Sequence, residues 1–526
     1  MIAFEPFASL TETGIREYSG QWHSWVLREF NPYFLLYWMF LVLLIWLVRN
    51  QKIRLPVWNP SWLSWVVAVV PCLLCSFFVL VQTGGVPHFE DEFAYGFQAR
   101  LLATSQFEGI TVPKELEHTF AVPNIFINSE GKLVGIYSIG YPLFLAPFAL
   151  LNVLWLAPIV LFVLNLGFLL QIIKTVFSKR RFVPWLVVCL NPWFCAFSAW
   201  YFSQSLTLLL VNWIILRRLQ NRSFVGDGVL LGVMAIVRLP DALIVFLAIL
   251  MVRVCNRDYK IYDMILGLPF LFLHFLQQKW VTGFWFLSTY EVFSKYHKMG
   301  FGADIGIHEP WGFNLWQAFK NLGLALLSLN ETLFGFPALG LLPLVLFCIR
   351  GLWIIKRQGG LFLLVLPAIW FGFYFFYFYP GLLLGPRFHF PLLGCLMILA
   401  LAGALRFRVS QRLCGVFVVV GFLSLGRWQD VVKDSGGILT DPLQEMGISI
   451  APDKVYIIIE PEPQQNQSVF IKPLYWNFWR FNDPWQPMNP VFVAEKDFQQ
   501  HKQWFFDNFK GRLVILSAEK EAYESP

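Results

Sequence analysis

Long apolar runs, separated by short polar and mostly basic segments, fill this chain. They cover Tyr33–Val48, Trp62–Val81, Trp155–Phe177, Pro184–Tyr201, Ser203–Leu219, Tyr262–Val281, Leu333–Ile349, Leu361–Tyr379, Phe390–Leu405 and Leu413–Leu425. None alternates polar and apolar residues as a barrel strand would. A helix of about 20 apolar residues crosses a bilayer, so the pattern predicts ten full spans. One further run, Gly226–Val252, is interrupted by Arg238-Leu239-Pro240-Asp241. Proline lacks the N–H a helix interior needs and clashes with the preceding turn, so the helix breaks there. Both flanks of the run are basic: Arg217, Arg218 and Arg222 precede it, and Arg253, Arg257 and Lys260 follow. Basic loops stay on the cytoplasmic side. Two half-helices that enter and leave on one side satisfy both flanks and put Arg238 and Asp241 at the tip. One kinked helix with a buried ion pair is the alternative.

Composition agrees with the pattern. Of 526 residues, 57% are hydrophobic and only 14% charged, with mean hydropathy +0.58. A soluble domain carries about 25% charged residues. The net charge of +7 resides in the short loops and implies no nucleic-acid partner. All eight cysteines lie in or beside apolar runs, so no disulfide framework is expected, and Cys72 and Cys75 read as packing thiols. Residues 1–31 are polar and mixed in charge and do not read as a cleavable leader. The expected class is an all-α polytopic membrane protein with about ten spans and a re-entrant pair. The expected domains are a polar segment 1–31, a transmembrane catalytic domain 32–426 with outer loops 82–140 and 282–332, and a small non-cytoplasmic appendage 427–526. Within the appendage Val455–Glu460 and Arg512–Leu516 look like strands, so it reads as a small α+β or irregular unit.

The chemistry concentrates where the run Trp62–Val81 ends. There the chain reads His88-Phe89-Glu90-Asp91-Glu92-Phe93-Ala94-Tyr95. Three adjacent carboxylates repel one another and hold water, which does nothing for a membrane segment. They are candidates for a general base, a metal site, or both. Residues Phe93–Leu102 then follow a helical period and read as a surface helix. The second outer loop carries Lys295, His297, Lys298, His308 and Glu309, with Trp311 and Trp316 as interfacial aromatics.

An acidic pair opening the first outer loop, then a Tyr-x-x-x-Ala-Arg pattern, resembles the GT-C superfamily of membrane glycosyltransferases. The group includes the protein O-mannosyltransferases and the lipid A aminoarabinose transferase. Asp91-Glu92, Tyr95, Ala99 and Arg100 carry the resemblance, with Gly232–Pro240 and Gly385–Pro391 as later matching stretches. The chain departs from it in the span Tyr33–Val48 and in its tail.

The resemblance implies a GT-C-like fold in a multi-pass protein of a bacterial inner membrane. It implies transfer of a sugar from a polyprenyl-phosphate donor to a hydroxyl of a lipid, glycan or protein, with inversion, on the non-cytoplasmic face. Asp91 would be the base and Glu92 its support. Arg238 and Arg387 would meet the lipid phosphate, whose oxygens match a guanidinium fork. Tyr95, Arg100 and His389 would contact substrate. A divalent metal would take Glu90, Asp91 and Glu92 as oxygen ligands. A transporter or lipid flippase, a polysaccharide polymerase or ligase, and a non-catalytic scaffold are the rival readings.

Overall fold

The apolar run Ser203–Leu219 forms one helix over those same residues. A computed structural model describes residues 61–82, 85, 87, 89–121, 124–177, 188, 191–220, 225–257, 261–293, 296–306, 312–334, 360–381, 385–406, 454–459, 485, 491–510, 512–517 and 522–524. Helix α1 (Ser61–Phe77) continues as a π-turn, Phe78–Gln82. Helix α2 is Glu90–Ala103, followed by the hairpin β1 (Ile125–Ile127) and β2 (Leu133–Gly135), then α3 (Gly140–Leu150). Next come α4 (Leu156–Phe177), α5 (Pro192–Phe197), α6 (Ser203–Leu219), α7 (Val225–Val237) and α8 (Leu239–Cys255). A 3-10 segment, Ile261–Gly267, leads into α9 (Leu268–Thr282). Then follow α10 (Leu315–Phe334), α11 (Leu361–Tyr374), a 3-10 turn Arg387–Leu392 and α12 (Leu393–Arg406).

The chain divides into two compact units. The first comprises Met1–Gly85, Trp155–His274 and Lys295–Val431. In it α6 packs against α4 and the Arg387–Leu392 turn, while α8 packs on α11. Residues Asn165, Asn212 and Thr207 are fully buried here, and Asn165 Nδ2 donates across the packed helices to the Ser205 carbonyl at 2.9 Å. The second unit comprises Val86–Leu154, Phe275–Ser294 and Val432–Pro526. In it α2 packs on α3 and β2.

The second unit also holds a four-stranded sheet of β3 (Val455–Ile459), β4 (Val491–Ala494), β5 (Leu513–Ser517) and β6 (Ala522–Glu524), in the order β4-β3-β5-β6. Strand β3 is parallel to both neighbours and β6 is antiparallel to β5. The central strand reads Val-Tyr-Ile-Ile-Ile, an unbroken apolar run fit for burial on both faces. Helices α13 (Glu495–Gln500) and α14 (Lys502–Asn508) form the crossover from β4 to β5. Both expected strands of the tail are therefore present.

The break at Arg238 also falls where Pro240 predicts it. Arg238 is extended (φ −152°, ψ 97°) between α7 and α8. The two helices pack on each other. Asp227, near the start of α7, is fully buried against Arg217 (2.7 Å) and Arg218 (2.8 Å). Arg253, near the end of α8, acts electrostatically on the same carboxylate. A continuous helix would hold positions 227 and 253 about 39 Å apart. The chain therefore turns back on itself at the break.

Other expectations change. Among the described residues one helix, Leu156–Phe177, is long and apolar enough to cross a membrane. The count of ten spans is not confirmed. The described part of Pro184–Tyr201 contains the six-residue helix α5, because Asn191 caps it, accepting the Phe194 N–H at 2.9 Å, with Pro192 at its first position. Tyr262–Val281 is split between 3-10 and α-helix. The second outer loop contains α10, which ends inside the expected span Leu333–Ile349. Polar Lys320, Asn321, Asn330 and Glu331 hide this helix from a hydropathy reading. The expected spans Tyr33–Val48 and Leu413–Leu425 lie outside the described residues, as do His88, Lys295, His308, Glu309 and Trp311.

Chain reversal at Arg238 has a direct test. Cys255 is an exposed native thiol, and Gln220 is exposed at the end of α6. With other cysteines replaced, a membrane-impermeant maleimide should label Cys255 and Gln220→Cys from one face. Labelling from opposite faces would contradict the reversal.

Candidate active site

The acidic triplet is the first turn of α2, where carboxylates complement the exposed N–H groups of a helix start. Its members do different things. Glu92 is fully buried, and its Oε2 accepts the backbone N–H of Phe89 at 3.0 Å. That is the third-position acid of a helix cap, which satisfies a donor the helix itself leaves over. Asp91 is half-buried, and its Oδ1 accepts two hydrogen bonds. The Tyr137 hydroxyl donates at 2.6 Å and Asn124 Nδ2 at 3.0 Å. Asn124 holds a left-handed backbone (φ 69°), a conformation asparagine tolerates, and its carbonyl accepts the Ile136 N–H. The β1–β2 hairpin thus runs from one Asp91 partner to the other.

Tyr137 is itself held from several sides. Its ring stacks on Tyr95 at 4.2 Å and meets Tyr290 edge-on at 5.9 Å. Its carbonyl accepts Gln98 Nε2 at 2.7 Å and Gln277 Nε2 at 2.8 Å. Burial, and then the negative charge of Asp91, push the Tyr137 phenol well above its ordinary range. It therefore keeps its proton and stays a donor to Asp91.

Tyr95 joins this cluster as a stacking partner. Arg100 does not: it lies nine residues beyond Asp91 along α2, about 14 Å, with its guanidinium 4.1 Å from the Trp485 ring. Trp485 also donates to Gln106 at 2.8 Å and packs on Phe97. The reading of α2 as a surface helix is corrected, since Ala94, Tyr95, Phe97, Gln98, Ala99 and Leu101 are buried by α3 and the hairpin. Successive helical side chains point about 100° apart, so three neighbouring carboxylates fan out. Among the described residues no group of three or more His, Cys, Asp or Glu is gathered to hold a metal ion.

The first unit gathers the expected cations. Arg238 Nε meets Asp241 Oδ2 at 2.7 Å, and Arg238 Nη2 donates to the Tyr374 hydroxyl at 3.1 Å. Tyr374 in turn donates to Asp241 Oδ1 at 2.5 Å, and Asp241 is fully buried. This ring of three joins the α7–α8 turn to the end of α11. Arg387 opens the 3-10 turn that follows Gly385, whose positive φ of 85° suits glycine. A Cβ on Gly385 would stand 2.9 Å from Trp193 Nε1. The Arg387 guanidinium lies over Phe388 (5.3 Å), Tyr379 (5.5 Å) and Phe202 (5.8 Å). Arg238 lies over the same Phe388 ring at 5.4 Å, so the two expected phosphate ligands are brought together. His389 is buried, stacked on Phe371 at 4.9 Å. His297 Nε2 is 2.6 Å from the Tyr377 hydroxyl. Trp316 is exposed on α10, as an interfacial residue would be.

Sequence reading missed Asn124, Tyr137, Tyr374 and Trp485. Only Tyr137 carried a signal, in the Ile-Tyr-Ser-Ile-Gly-Tyr-Pro-Leu stretch before α3.

A graded change at Glu92 tests its role. Glu92→Gln keeps an oxygen for the Phe89 N–H and should leave thermal stability nearly unchanged. Glu92→Leu should cost about 1–2 kcal/mol, read as a lowered unfolding temperature in detergent.

No protein-family model and no curated protein matches the chain. Among solved structures, ArnT from Cupriavidus metallidurans in the apo state aligns with TM-score 0.50 at 12% identity, over 87% of this chain and 93% of that one. The same protein bound to undecaprenyl phosphate aligns with TM-score 0.48 at 14% identity, over 86% and 93%. At this identity the likeness concerns architecture: the chain has the fold of apo ArnT.

Proposed function

We propose that this chain is an integral membrane glycosyltransferase that moves a sugar from a polyprenyl-phosphate carrier to a hydroxyl acceptor on the non-cytoplasmic face. The observation that carries the reading is the setting of Asp91. It is one carboxylate of an acidic turn, half-buried, with Tyr137 and Asn124 both donating to the same oxygen. A carboxylate anchored in that way keeps a fixed direction, which a base must have to meet a hydroxyl proton. The ArnT-like fold supports the same class.

The acceptor oxygen attacks the anomeric carbon and its proton passes to Asp91. As the new bond forms, the bond from that carbon to the carrier phosphate breaks on the opposite face, so the sugar carbon inverts. The departing phosphate gains charge and needs cationic partners. Arg387, ringed by three aromatic faces, is assigned to it. Arg238 is assigned to hold the α7–α8 turn through Asp241 and Tyr374, with phosphate contact secondary. Glu90 and Asp91 are the carboxylates of the acidic turn not engaged in capping Phe89. A divalent cation held by them would neutralise phosphate charge. The paired short helices α7 and α8 are assigned as the re-entrant element. The acceptor is a lipid, a glycan or a protein.

Three substitutions separate these roles. Asp91→Asn should leave folding intact and lower transfer from a polyprenyl-phosphate sugar by about 10²–10⁴-fold. Transfer at the unaltered rate would remove Asp91 from the chemistry. Arg387→Lys keeps charge but loses the planar fork, and should raise KM for the donor about tenfold, the worth of one charge-assisted hydrogen bond. Arg238→Lys should instead lower thermal stability.

A further inference from the structure

Tyr137 sits in a link, Ile136–Ile139, that belongs to neither β2 nor α3. Backbone groups in such a link have no strand or helix ladder to join, so they are satisfied from outside it. Side chains from distant parts of the second unit do this. The Ile136 carbonyl accepts the Thr289 hydroxyl at 2.5 Å. The Tyr137 carbonyl accepts Gln98 Nε2 at 2.7 Å. Gln277 grips the link twice: Nε2 donates to the Tyr137 carbonyl at 2.8 Å and Oε1 accepts the Ile139 N–H at 2.8 Å. Thr289 is tied back to the neighbour of Gln277, since its own N–H donates to Gln278 Oε1 at 2.9 Å.

Gln277 and Thr289 are buried. A buried amide is costly unless it is hydrogen-bonded, and a leucine at position 277 would pack into α9 without that condition. The two bonds of Gln277 therefore select one place for its amide, and with it one place for the link. The far end of Tyr137 is the hydroxyl that donates to Asp91 Oδ1 at 2.6 Å. Stacking of the Tyr137 ring on Tyr95 fixes its plane. It resists sliding within that plane only weakly, because a range of offset stacks is favourable. How far the hydroxyl reaches is then set by the Tyr137 backbone, and Gln277 holds that backbone.

We propose that Gln277 is a positioning residue for Asp91, acting through Tyr137. The proposal rests on the reading of Asp91 as the base of sugar transfer. Gln277 bonds to the link and not to the carboxylate, so its effect is on geometry alone. A misplacement of about 1 Å can cost a reaction about 10²-fold in rate, so the hold on one backbone link is enough to govern turnover.

The test is a double-mutant cycle on the full-length protein in detergent, with kcat and KM for a polyprenyl-phosphate sugar measured on monodisperse protein. Tyr137→Phe keeps the stack and deletes the donor. It should lower kcat about tenfold, the worth of a hydrogen bond to a charged group. Gln277→Met keeps an unbranched side chain and deletes both amide bonds. It should lower kcat about fivefold, the worth of one neutral hydrogen bond, and leave KM for the donor unchanged. Because the glutamine acts through the Tyr137 hydroxyl, the two losses should not multiply: the double variant falls about tenfold, where independent effects would give about fiftyfold. Thr289→Val releases the Ile136 carbonyl and should behave as Gln277→Met does; it replaces that variant in the cycle should Gln277→Met not fold. Losses that multiply overturn the positioning role, as does a raised KM with kcat kept. Asp91→Asn separates the two readings. Transfer at the unaltered rate in that variant removes the base and this proposal together, whereas a defective Asp91→Asn with multiplying losses removes the proposal alone.

Discussion

A polar group removed from water must find a partner where it stands, and this constraint shapes both compact units. An unpaired buried charge costs several kcal/mol, more than most single helix contacts return. Among the described residues, each buried carboxylate is therefore built into a joint. Asp241 ties the α7–α8 turn to α11 through Arg238 and Tyr374. Asp227 ties the end of α6 to the start of α7. Glu92 closes the start of α2 on Phe89. The elements of the fold meet at these joints because their apolar faces alone would leave the register free to slide.

The same constraint explains what was legible in the sequence. Runs such as Ser203–Leu219 have no competing signal, and their helix matches them end to end. Pro240 marks a backbone that cannot continue as helix, so the break at Arg238 was visible too. Strand β3 was legible because five consecutive β-branched or aromatic residues favour nothing else. Helix α10 was not, because polar residues interrupt its hydropathy. The partners of Asp91 lie 33 and 46 residues away, and no local pattern links an asparagine before one strand to a tyrosine after the next. The acidic triplet was visible as a unit, but its division of labour was not. The role of Glu92 depends on the direction from which the chain enters the helix.

In the first unit aromatic rings join carboxylates as partners of the arginines. Arg387 is bounded by the faces of Phe202, Tyr379 and Phe388. A ring face attracts a cation through its quadrupole without neutralising it. Arg238, by contrast, shares a carboxylate with Tyr374. Two arginines around one Phe388 ring thus differ in their described contacts, one set among three ring faces and one bonded to Asp241 and Tyr374. The proposed division between phosphate binding and hairpin support follows from that difference.

The contact of Trp485 with Gln106 joins residues 379 positions apart, and the central strand β3 waits on β5, whose first residue is Leu513. A chain made from its N-terminus forms α2 before the strands and the Trp485 contact that complete its unit. Closing so long a loop carries an entropic cost that grows only slowly with length, so distance along the chain is a matter of order more than of stability. The unit that holds Asp91 is completed only after the described helices of the first unit have been made. A ribosome that stops before Trp485 leaves α2 without that cover and β3 without either of its neighbours.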